Sequence, residues 1–128
     1  MTTGTERRAH PRVRADLPIQ LTAEGGAADA SIRDISLSGV CCITDRAMPV
    51  MTQVRLTIVL PDRVGEPRPI NCSGAVVRSA RTARGPNGRE RYETAIFFTE
   101  LGESARNQLE DFVILRQGGD LTSQGGAA

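Results

Sequence analysis

Val54-Arg-Leu-Thr-Ile-Val-Leu60, closed by Pro61-Asp62, decides the class of this chain. Val54, Leu56, Ile58 and Leu60 alternate with Arg55, Thr57 and Val59, the period of two that sends successive side chains to opposite faces of a strand. The same pattern extends upstream. Leu17, Ile19 and Leu21 alternate with Pro18, Gln20 and Thr22, and the proline marks a strand start or an edge. Gly25-Gly26 turns the chain into a second strand, in which Ala28, Ala30 and Ile32 alternate with Asp29, Ser31 and Arg33. After the polar turn Asp34-Ile-Ser-Leu-Ser-Gly39, residues 40–44 form a short apolar strand. Downstream, residues 69–82 read as a strand whose interior Gly74 marks a bulge or a close backbone approach. RGPNG, residues 84–88, signals a turn, and residues 90–98 form the last strand, its hairpin partner.

The period changes once. Leu101, Ala105, Leu109, Phe112, Val113 and Arg116 fall three and four apart, an amphipathic helix with a cation suited to its last turn. Gly118-Gly119 is expected to stop it. Six short strands followed by one helix predict a mainly β fold, a small six-stranded antiparallel β-barrel with a C-terminal α-helix. The expected division is a flexible Arg-rich leader at 1–15, the barrel and helix at 16–116, and a disordered tail at 117–128.

Composition bounds the function. At 128 residues the chain is expected to form one domain, and 39% hydrophobic residues with only 3% aromatics imply an aliphatic core. No run approaches the roughly 18 apolar residues of a membrane span, and no apolar segment follows the charged start. A cytoplasmic protein without membrane insertion is expected. Cys41, Cys42 and Cys72 form no CxxC pair and His10 is the single histidine, so reduced thiols and no metal or cofactor are expected. Cys41 and Cys42, being adjacent, are expected to face opposite sides of their strand, one in the core and one half exposed. The net charge of +1 argues against bulk binding to a nucleic-acid polymer. All sixteen basic residues are arginine, and Arg7, Arg8, Arg12 and Arg14 crowd into eight positions. A local cationic segment on a nearly neutral chain suits a small anionic ligand.

Two polar motifs stand outside every apolar period. Arg8-Ala-His-Pro-Arg12 is an RxxxR, and Asp34-Ile-Ser36-Leu-Ser-Gly39 is a DxSxxG, about 22 residues further on. In this order, ahead of a β-rich body and a terminal helix, they resemble the PilZ domain over roughly residues 6–116. Gly74-Ala-Val-Val-Arg78 is similar to that family's glycine-then-valine strand, and Ala95-Ile-Phe-Phe98 to its last core strand. The family consists of bacterial receptors for the second messenger cyclic di-GMP, so the resemblance implies a receptor or adaptor and no enzyme. It implies Arg7, Arg8, Arg12, Asp34, Ser36 and Gly39 as ligand-binding residues, and an effector protein as a further partner. In that family an arginine just ahead of RxxxR goes with two ligands per protomer, which is the reading for Arg7.

The chemistry of the residues agrees. Guanine offers O6 and N7 acceptors that an arginine fork meets bidentately, and the same fork fits phosphate oxygens. Two arginines four apart on an extended leader sit about 13 Å apart and can address different parts of one ligand. The N1–H and N2 amine of guanine need an acceptor, which Asp34 supplies. Ser36 adds a hydroxyl, and Gly39 lets the backbone turn closely. Each residue also has a plainer role: Asp34 and Ser36 can form a side-chain turn, Gly39 serves the turn either way, and Arg14, Arg33 and His10 read as surface groups. The leader has too few apolar residues to pack alone, so it is expected to become ordered on binding a dianion. Two other functions compete. One is a PilZ-like protein-interaction module that binds no nucleotide. The other is a hydrolase built on Asp34, Ser36 and His10, which a histidine on a flexible leader preorganises poorly.

Overall fold

In the computed structural model, which describes residues 11–23, 26–82 and 88–127, the alternation of residues 54–60 becomes strand β5. Among the described residues, seven strands precede one helix: β1 (Val13–Arg14), β2 (Pro18–Ala23), β3 (Gly26–Ile35), β4 (Gly39–Thr44), β5 (Gln53–Pro61), β6 (Pro67–Arg81), β7 (Tyr92–Glu100) and α1 (Glu103–Ala127). All neighbours are antiparallel. The order β3-β2-β5-β6-β7-β4 closes through the β3–β4 pair into a six-stranded barrel, so no strand of the ring is left with a free edge. The core is aliphatic as composition requires: Leu21, Ile32, Ile35, Val40, Leu56, Ile58, Leu60, Val76 and Ile96 are fully buried. Each such side chain contributes roughly 1.5–3 kcal/mol.

β1 is not a barrel stave. It pairs with Asp34 and Ile35 along the edge of β3 that β2 occupies lower down, with a one-residue slip at residues 15–17 between the two. Ala15 N–H donates to the Arg33 carbonyl, Ile32 N–H to the Leu17 carbonyl, and Val13 and Ala15 are buried. Residues 13–15 therefore belong to the sheet, which shortens the leader expected at 1–15. Val13 and Ala15 face the core two residues apart, and that alternation is enough to pair a strand.

Helix α1 lays Leu109, Phe112 and Val113 on the core, with Leu101 and Ala105 packed at its margin. Arg116 stacks over the Phe112 ring, 5.0 Å from its centroid, and donates to the Arg14 carbonyl at 3.2 Å, so the helix also clasps β1. The helix continues to Ala127, past the Gly118-Gly119 pair expected to end it. Glycine in a helix costs only about 1 kcal/mol against alanine, and no proline follows to break the run. None of the described helices is long and apolar enough to cross a membrane.

Two further expectations change. Ile96 and Phe98 are core, but Phe97 between them points outward and is 53% exposed, as alternation along a strand demands. Cys41 and Cys42 do face opposite sides, yet both are buried, as is Cys72. The Gly74 expectation holds: the β6–β7 register shifts between Ser73 and Gly74, and a Cβ at Gly74 would lie 2.7 Å from the Phe97 carbonyl oxygen. At the β5–β6 turn, Asp62 accepts from the Val64 and Glu66 amides and from Arg68, which holds its carboxyl below the usual range.

Candidate functional site

The DxSxxG stretch joins β3 to β4 on the outer wall of the barrel. Asp34 sits near the end of β3, where the register slips between Ile32 and Asp34, leaving Arg33 as an extra residue. The bulge turns Arg33 and Asp34 outward together while Ile32 and Ile35 both stay buried. Arg12, just ahead of β1, reaches across and donates to Asp34 Oδ1 at 2.6 Å. The two motifs, 22 residues apart in sequence, thus meet at one ion pair. The pair is half exposed on the arginine side. Such pairs are worth only about 0.2–1 kcal/mol, so both groups are easily released to a better partner.

Ser36 takes the turn-forming place among the roles expected of it. It is fully buried, its hydroxyl hydrogen-bonds the Ser38 hydroxyl at 3.0 Å and accepts from the Ser38 amide at 3.2 Å. Its own amide donates to the Gly39 carbonyl, closing the turn. Ser36 shapes the turn that holds Asp34 and presents no free hydroxyl. Gly39 has a packing reason: it pairs with Phe97 on β7, and a Cβ there would collide with the Ile96 carbonyl oxygen. Arg7 and Arg8 lie outside the described residues, as does His10.

Beyond Asp34 the wall continues over β4 and β7. Cys41 pairs with Asp34 on one side and with Ala95 on the other, and Ala95 pairs with Arg78 on β6. A second bulge, between Val76 and Arg78, turns Val77 and Arg78 outward together. Glu93 on β7 accepts from Arg33 and, at 3.2 Å, from Arg78. The Cys41 thiol lies beneath this ring of charge. Burial first, and the Asp34 carboxylate second, raise its pKa, while Arg33, Arg78 and Arg12 pull the other way. Burial pushes Cys42 up to about 12 and Cys72 to about 11, so all three thiols remain protonated and poor nucleophiles near neutrality.

Sequence reading takes Arg33 as a plain surface charge and assigns nothing to Glu93. The signal it lacks is the pair of bulges, because strict alternation gives Arg33 and Asp34 opposite faces.

The model of the PilZ domain matches residues 6–115. The chain belongs to the PilZ domain family. No curated protein matches it in sequence. Among solved structures it is similar to the Bacillus subtilis inhibitor of motility MotI/DgrA, with a TM-score of 0.72 at 23% identity, covering 88% of this chain and 52% of that one. The PilZ domain of YcgR from Escherichia coli, solved with c-di-GMP, gives 0.69 at 11% identity, covering 93% and 98%. The MrkH–c-di-GMP complex of K. pneumonia gives 0.68 at 17%, covering 94% and 53%. This PilZ chain therefore spans about half the length of MotI/DgrA and of MrkH. At these identities the likeness is one of fold, and it places the six-stranded barrel and closing helix within the PilZ architecture.

Proposed function

We propose that this PilZ protein is a receptor for cyclic di-GMP that binds the nucleotide at the Arg12–Asp34 junction and leaves it chemically intact. The observation that carries the reading is the 2.6 Å contact between the arginine that ends RxxxR and the aspartate that opens DxSxxG, on an open face of the barrel. A guanidinium that donates and a carboxylate that accepts stand side by side, and guanine offers acceptors on one edge and donors on the other. The c-di-GMP complexes of YcgR and MrkH support the ligand class. Arg8, and Arg7 with a second ligand, complete the proposed cationic set from the leader.

Binding without turnover fits the chemistry at hand. Ser36 has its hydroxyl engaged with Ser38, and the buried thiols are held protonated. The site offers charges and turns, and no activated nucleophile among the described residues. The ligand-dependent change we propose lies in the leader ahead of Val13, since residues 13–15 are already paired with β3. Drawing Arg7 and Arg8 onto the ligand alters the surface next to β1 and α1, and that surface is what an effector protein would read.

The test is calorimetric titration of the full chain with cyclic di-GMP, with GTP as the control and the nucleotide recovered afterwards. Saturable heat with cyclic di-GMP, little with GTP, and an unchanged nucleotide are expected, with a site number near two if Arg7 recruits a second molecule. Absence of heat at high micromolar protein supports instead an interaction module that binds no nucleotide.

A further inference from the structure

Three charged side chains outside both motifs share the outer wall with the Arg12–Asp34 pair. Arg33 and Arg78 come from the two bulges, on β3 and β6, and Glu93 stands between them on β7. The row Asp34, Cys41, Ala95, Arg78 crosses four neighbouring strands. At about 4.8 Å per strand, its ends are about 14 Å apart. Between them the side chains are small, a cysteine and an alanine, so the wall is low there and higher at both charged ends. Arg33, reaching from the Asp34 side, and Arg78, from the other end, meet at Glu93, and they are 52% and 61% exposed while Glu93 is at 23%.

We propose that Arg33 and Arg78 form a second anion-binding subsite for the far phosphate of the cyclic dinucleotide, and that Glu93 occupies it as an internal placeholder until the ligand arrives. This rests on the receptor reading above. A cyclic dinucleotide carries two phosphates and two bases on one ring, so a ligand anchored at Arg12 and Asp34 extends along the low row toward Arg78. Two guanidinium groups converging on one carboxylate are already arranged for a phosphate, whose oxygens accept the same forked donors with greater charge. Bulges re-aim side chains, and here two of them aim arginines from different strands at a single point. Glu93 neutralises that point in the free protein and competes with the ligand for it.

The opposing roles make the test sharp. In calorimetric titrations with cyclic di-GMP at matched salt, Arg78→Ala should weaken binding about tenfold, the loss of a charge-assisted contact. Glu93→Gln should tighten binding by roughly threefold, the scale of an exposed ion pair no longer to be broken. Glu90→Gln is the control for net charge, because Glu90 pairs with Arg81 and Tyr92 away from the cluster, and its affinity should match the parent. If the three charges were only structural, removing either partner would leave affinity unchanged or lower it in both variants. Glu93→Gln binding no tighter than the parent overturns the placeholder, and Arg78→Ala binding like the parent overturns the subsite. A parent that takes up no ligand overturns the receptor reading, which the same titration separates from these two outcomes.

Discussion

Arg12→Ala should weaken cyclic di-GMP binding by about tenfold to a hundredfold, the cost of losing hydrogen bonds to a charged ligand. The side chain is half exposed and among the described residues its partner is Asp34, so its removal leaves the core untouched. Asp34 remains partly solvated and loses only a weak surface pair. Folding and ligand binding are therefore separable at this position. Arg63→Ala removes an equal charge from the β5–β6 turn, where Arg63 pairs with Asp111 of the helix, and should leave affinity as it was. Calorimetry on both variants, with circular dichroism to verify the fold, reads the difference. Parent-like binding by a folded Arg12→Ala protein would remove Arg12 from the site.

Gly39→Ala acts on the other side of that separation. The Cβ it adds points into the Ile96 carbonyl oxygen of β7, which is backbone and cannot rotate away. Either β4 or β7 must move, and both run through the buried core at Val40 and Ile96. The expected cost is about 1–3 kcal/mol, the range for overpacking a close contact. Gly102→Ala makes the contrast, since a Cβ there meets nothing within 4 Å. Urea unfolding of the two variants tests this: a lowered midpoint for Gly39→Ala and little change for Gly102→Ala. Equal midpoints would mean that the strand spacing yields and that the glycine is kept for another reason.

The barrel was legible because its strands obey one rule over several residues each. Val54 to Leu60 and Leu17 to Leu21 alternate cleanly, and their inward sets are found buried, Leu17 only in part. The helix declared itself through Leu109, Phe112 and Val113, but its end did not. The Gly118-Gly119 pair weakens a helix without terminating it. The site was legible as two motifs and not as a surface. Asp34 and Arg12 could be paired by chemistry, whereas the burial of Ser36 depends on how the turn folds onto Ser38 and Gly39. Alternation alone places Arg33 and Glu93 outward, but their convergence with Arg78 was hidden by register. A bulge inserts one residue and reverses the faces after it: strict alternation from Ile70 to Val76 would turn Arg78 inward, whereas it is exposed. Phe97 follows the plain alternation of β7, outward between the inward Ile96 and Phe98.

Amide chemical-shift mapping of the full chain titrated with cyclic di-GMP tests most directly whether the Arg12–Asp34 wall is the binding face. The largest shifts should fall in residues 12–14, at Arg33 to Cys41, and along β7 from Glu93 to Phe97, saturating together with the calorimetric isotherm. Residues on the far wall, such as Thr57 and Asn71, which hydrogen-bond each other across β5 and β6, should hold their positions. A spectrum unchanged at saturating nucleotide, or shifts confined to that far wall, would contradict the assignment.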